Sequence, residues 1–72
     1  MKKINKIKIK LKGKNIKIQD KISLQKLTKK FNLPIKKVAI ELNQAIVNKK
    51  ALSKIKLKEN DKIEIVHFIG GG

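Results

Sequence analysis

The run Ile63-Glu64-Ile65-Val66-His67-Phe68-Ile69 is apolar at nearly every position and stops at Gly70-Gly71-Gly72. Val, Ile and Phe suit a pleated, packed strand, whereas glycine has no side chain to pack and the freest backbone. A strand with apolar side chains pointing both ways is expected at the centre of its sheet, covered on both faces or nearly so. A central last strand forces the earlier strands to either side of it, which removes most topologies open to a chain of this length. It also predicts that an anchored strand hands over directly to a flexible glycine tail bearing the α-carboxylate of Gly72.

Earlier stretches supply the flanking elements. Lys6 to Lys12 reads Lys-Ile-Lys-Ile-Lys-Leu-Lys, a strict alternation that places Ile7, Ile9 and Leu11 on one face of a half-buried strand. Gly13-Lys14-Asn15 offers turn chemistry, and Ile16-Lys17-Ile18 resumes the alternation, so residues 4–19 are expected to form a hairpin. The period then changes. Ser23 is a candidate N-cap, and Leu24, Leu27 and Phe31 recur at helical spacing until Asn32 and Pro34, which predicts a helix over 23–32. Val38–Asn43 is expected as a strand with Val38, Ile40 and Leu42 inward, followed by a turn at Gln44-Ala45 and a short extended piece, Ile46-Val47. Residues 49–54 show no clear period and are expected as a loop or single helical turn over Leu52 and Ile55. Lys58-Glu59-Asn60-Asp61 forms the last turn, with Asn60 left-handed.

The order ββαβ(β)β predicts one α+β domain: a mixed sheet with one main helix packed across one face, and a final strand beside the first. That is the β-grasp arrangement, here assigned to residues 1–69, with 70–72 as its tail.

Composition excludes several functions. With no cysteine and a single histidine, thiolate catalysis, disulfide frameworks and Cys- or His-cluster zinc sites are ruled out. Met1-Lys2-Lys3 resembles the start of a signal peptide, but alternating Ile and Lys follow in place of an apolar run. The net charge of +15 raises nucleic-acid binding. Against it, all 20 basic residues are lysine, none is arginine, and Phe31 and Phe68 are the only aromatics. A solvated lysine face, or an acidic protein partner, fits better.

Among candidate site residues, Gly70, Gly71 and Gly72 form a tail without side chains that can extend and approach another surface closely. If Ile63 and Ile65 face the helix, Val66 and Phe68 lie on the opposite face near the tail, a natural docking patch. His67 has no nearby Asp or Ser partner suggested by the sequence and no second histidine, and is expected to be a sheet position. Ser23 and Ser53 lack a base, and Asp20 and Asp61 sit in turns where carboxylates cap and solvate.

Val38-Ala39-Ile40-Glu41-Leu42-Asn43, Ile46-Val47 and Asp61 to Gly72 together resemble the ThiS family, the sulfur carriers of thiamine biosynthesis, and the likeness extends over the whole length. The family's Pro-Arg after the Ile-Val pair is replaced here by Asn48-Lys49, its following aromatic by Ala51-Leu52, and its Asp-Gly-Asp turn by Glu59-Asn60-Asp61. The resemblance implies the β-grasp fold and a protein co-substrate, not an enzyme. It implies that the Gly72 carboxylate is adenylated by a ThiF-like enzyme that consumes ATP, then converted to a thiocarboxylate with sulfur from a donor such as a cysteine desulfurase. Thiazole synthase (ThiG-like) would take the sulfur, and Lys49 and Lys50 would steer an acidic partner. No cofactor, metal, nucleic acid or membrane is expected to bind, the free protein is expected to be a monomer, and cytoplasm or plastid stroma would house it. Carriers of molybdopterin synthesis and transfer-RNA thiolation are the related alternatives, and a basic RNA-binding module is the alternative of another kind.

Overall fold

The computed structural model describes residues 5–67. It contains β1 (Lys6–Leu11), β2 (Lys14–Gln19), α1 (Leu24–Lys30), β3 (Val38–Leu42), β4 (Ala45–Ile46), a 3₁₀ helix (Lys49–Lys54) and β5 (Lys62–His67). The sheet order is β2-β1-β5-β3-β4. β1 and β5 run parallel, and every other neighbouring pair is antiparallel. The last strand is thus central and lies beside the first.

Both hairpins close through two-residue loops. Ile7 faces Ile18 and Ile9 faces Ile16, so the first loop is Lys12-Gly13. Both residues have positive φ, 54° and 82°, as a type I′ turn requires. The turn expected at Gly13-Lys14-Asn15 therefore shifts toward the N-terminus, and Lys14 and Asn15 belong to β2. The same correction applies to the second hairpin. Leu42 faces Ala45 across Asn43-Gln44, at φ 52° and 73°, so the chain reverses before Gln44-Ala45 and Ile46 is in the strand.

In α1, the Ser23 hydroxyl accepts the Lys26 N–H at 3.1 Å, capping the N-terminus. The C-terminus closes at Phe31. Asn32 turns left-handed at φ 53°, its N–H donates to the Lys29 carbonyl, and the Leu33 N–H donates to the Thr28 carbonyl. This Schellman pairing ends the helix before Phe31 reaches the core face. Phe31 was expected there, yet it remains 40% exposed, and Thr28 is buried in its place.

A single core joins Ile7, Ile9, Leu11 and Ile18 of the hairpin to Leu24 and Leu27 of α1, Val38 and Ile40 of β3, Ile63 of β5, and Leu52 and Leu57 of the connecting segment. Leu24 N–H donates to the Ile55 carbonyl and Leu57 N–H to the Ile22 carbonyl, each at 2.8 Å, which ties the helix entry to the approach to β5.

Only one sheet face is covered. On β5, Ile63 is buried and Ile65 partly buried, whereas Lys62 and Val66 are exposed and Glu64 is half-buried on the other face. The expectation of a strand covered on both faces is corrected. Helix α1 and the 3₁₀ helix both pack on the core side, so nothing among the described residues covers the reverse.

Candidate functional site

The start of β5 is fixed by a compact polar knot. Asp61, expected to be solvated, is only 3% exposed. Its carboxylate accepts the Lys58 N–H at 2.9 Å and the Asn43 side-chain amide at 3.0 Å. The Asn43 side-chain oxygen in turn accepts the Lys62 N–H at 2.9 Å. Asn60, left-handed at φ 71° as the turn predicts, donates its N–H to the Lys8 carbonyl. These bonds clamp the β3–β4 loop, the β5 entry and β1 together, so the strand leaves the clamp in a defined direction.

From there β5 outruns its first neighbour. Its register with β1 ends at Leu11↔Ile63, while β3 pairs it as far as Val38↔His67. Its last described residues are therefore held from one side, by β3. His67 occupies the expected sheet position, exposed and opposite Val38.

Val66 lies on the face opposite Ile63 and is 46% exposed. Directly across from it is Ala39, and the same face carries Ile46, at 75% the most exposed large apolar side chain described. Ile46 was missed from the sequence. Its register follows from the loop: once Asn43-Gln44 is the reversal, Ile46 must face Glu41 on the open side. Phe68, Gly70, Gly71 and Gly72, the other residues assigned to docking and to the tail, lie outside the described residues.

Two further polar side chains serve as caps. Ser23 caps α1, and Asn48 caps the 3₁₀ helix by accepting the Lys50 N–H at 2.9 Å. Asn48 thus serves the loop entry where the family resemblance has proline. Among the described residues no group of three or more His, Cys, Asp or Glu side chains could hold a metal ion. No described helix is long and apolar enough to cross a membrane.

A mixed sheet with its last strand central beside its first, crossed by one helix on one face, defines the ubiquitin-like β-grasp class of small protein. Within that class the chain belongs to the ThiS family, whose model matches residues 3–72. It is 38% identical over 65 residues to the sulfur carrier protein ThiS of Bacillus subtilis, covering 89% of this chain and 98% of that protein. It is also 38% identical over 66 residues to a thiazole synthase of Magnetococcus marinus, covering 92% of this chain but 20% of that protein, so it spans a fifth of that relative's length. The crystal structure of ThiS from Geobacter metallireducens superposes with a TM-score of 0.82, covering 92% of this chain and all of that one, at 22% identity. That last likeness concerns the fold.

Proposed function

We propose that this sulfur carrier works through the carboxylate of Gly72 in forming the thiazole of thiamine. A carboxylate is a poor electrophile. Attack of its oxygen on the α-phosphorus of ATP, in the active site of a ThiF-like enzyme, would expel pyrophosphate and leave an acyl-adenylate. The terminal sulfur of a persulfide, formed on a donor such as a cysteine desulfurase, would then displace AMP to give an acyl disulfide, and attack by a thiol on its S–S bond would release the thiocarboxylate and a disulfide. The chain itself has no cysteine on which to hold sulfur as a persulfide, which favours the terminal carbonyl as the carrying atom. The observation that carries the reading is the family match running through Gly70-Gly71-Gly72.

Thiazole synthase is the proposed acceptor. In the Magnetococcus relative, a region similar to this chain is part of a protein named thiazole synthase, so carrier and acceptor would share one polypeptide there. This favours thiazole formation over the molybdopterin and transfer-RNA alternatives. Val66, with Phe68, would dock against the activating enzyme while the glycines enter its channel.

Intact mass spectrometry tests the chemistry. After incubation with ATP, an activating enzyme from the same organism and a sulfur donor, the mass should rise by the difference between sulfur and oxygen. Deleting Gly72 should abolish the rise. An unchanged mass for the full chain under conditions where the enzyme consumes ATP would overturn the proposal.

A further inference from the structure

The open sheet face segregates its charges. Lys6, Lys8 and Lys10 project from β1 on the side away from the buried Ile7, Ile9 and Leu11. The register sets Lys17 directly opposite Lys8 and Lys62 beside Lys10. On the next strand pair the sign reverses, and Glu41 stands directly opposite Glu64. Like charges facing each other across a sheet are destabilising, and pairing lysine with glutamate would be favourable. This face does the reverse with both signs, although Glu59 brings a carboxylate to the cationic part, where it accepts the Lys8 backbone N–H at 3.3 Å. The cationic part also borders a groove of about 360 Å³, lined by Lys8, Lys10 and Lys62 together with Asn15 and Asn60.

We propose that this face docks a protein surface of inverse pattern: carboxylates against the β1–β2 lysines and a cation against Glu41 and Glu64. Val66 and Ile46 fill the apolar margin of the same face. The inference rests on the carrier reading for its partner, thiazole synthase, and adds the chemistry of the surface that meets the carrier. A second copy of this chain, turned about a two-fold axis, would offer only Glu41 and Glu64 against Lys6, Lys8, Lys10, Lys17 and Lys62, which leaves most of the lysines unmatched. Nucleic acid would meet the two carboxylates within the same face, and the chain offers no arginine for bidentate phosphate contacts.

The test measures association of the full chain with thiazole synthase from the same organism. The association rate should fall about tenfold between roughly 20 mM and 500 mM salt, as steering is screened. Lys17→Glu should slow low-salt association several-fold and flatten its salt dependence. It should also raise the thermal unfolding midpoint, since an opposite-charge pair replaces Lys8–Lys17. Glu41→Lys should weaken binding although it makes the chain more positive, the reverse of what a polyanion would show. Salt-insensitive association, undetectable association, unchanged rates in Lys17→Glu, or tighter binding by Glu41→Lys would each overturn the proposal. So would tighter binding to single-stranded RNA than to the enzyme. The mass assay is read separately. A chain that gains sulfur but associates without salt dependence loses only the docking proposal. One that associates as expected but never gains sulfur loses the carrier chemistry.

Discussion

Gln44 adopts φ 73° in a loop position where glycine is the unstrained choice. A left-handed residue with a Cβ costs roughly 1–2 kcal/mol, and glycine returns part of that as extra entropy of the unfolded chain. Gln44→Gly should therefore stabilise the fold by about 0.5–1 kcal/mol, read as a higher urea midpoint; a midpoint at or below that of the parent would contradict the strain argument. Its neighbour is a useful contrast. Asn43 has φ 52°, but its amide bonds both the Asp61 carboxylate and the Lys62 N–H, so the side chain is needed there. The carboxylate of Asp61 is the more sensitive end of this knot. Asp61→Ala removes the acceptor of a Lys58 N–H and of the Asn43 amide, two bonds that are partly buried. Leaving such donors unmet costs on the order of 1–3 kcal/mol, so a loss of about 2 kcal/mol is expected from the same unfolding measurement.

At the scale of elements, β5 divides its work between two faces. Ile63 anchors the strand in the core, while Val66 is close to half exposed on the open side. Val66→Ala should thus leave the unfolding midpoint nearly unchanged yet weaken association with the activating enzyme by about 1 kcal/mol, measured by calorimetric titration. Equal affinity of the two proteins would remove Val66 from the dock. Much of this was legible in the sequence. Apolar character at nearly every position placed β5 at the centre, the shift from alternation to three-and-four spacing placed α1, and Asn60 marked its own turn. What the sequence concealed was register. Lys12 and Gln44 are poor candidates for positive φ, so both hairpin loops were set too far toward the C-terminus, and with them the exposed side of Ile46. Apolar content also overstated the cover on β5, because counting side chains on both sides of a strand does not reveal whether a second layer exists to pack on them. The buried state of Asp61 escaped for a similar reason: its partner Asn43 is 18 residues away in sequence.

For the whole molecule, the unbalanced charge acts on stability as well as on recognition. A net charge of +15 on 72 residues makes the compact state self-repelling, and the folded sheet concentrates that repulsion at Lys8–Lys17 and Lys10–Lys62. The expanded unfolded chain separates the same lysines, so screening should favour the folded form. Raising the salt from roughly 20 mM to 500 mM shortens the screening length from about 20 Å to about 4 Å, short enough to damp exposed cross-strand pairs. With each such pair contributing roughly 0.2–1 kcal/mol, folding stability should rise by about 1 kcal/mol over that range. Urea is the denaturant to use, because it adds no ions of its own. Sodium chloride separates screening from the strengthening of apolar burial that sulfate or phosphate would add. In Lys17→Glu, where one repulsive pair becomes attractive, the gain should shrink toward zero. If parent and variant instead gained equally with salt, the repulsion would be spread over the whole charge of the chain and not held in the register of the sheet.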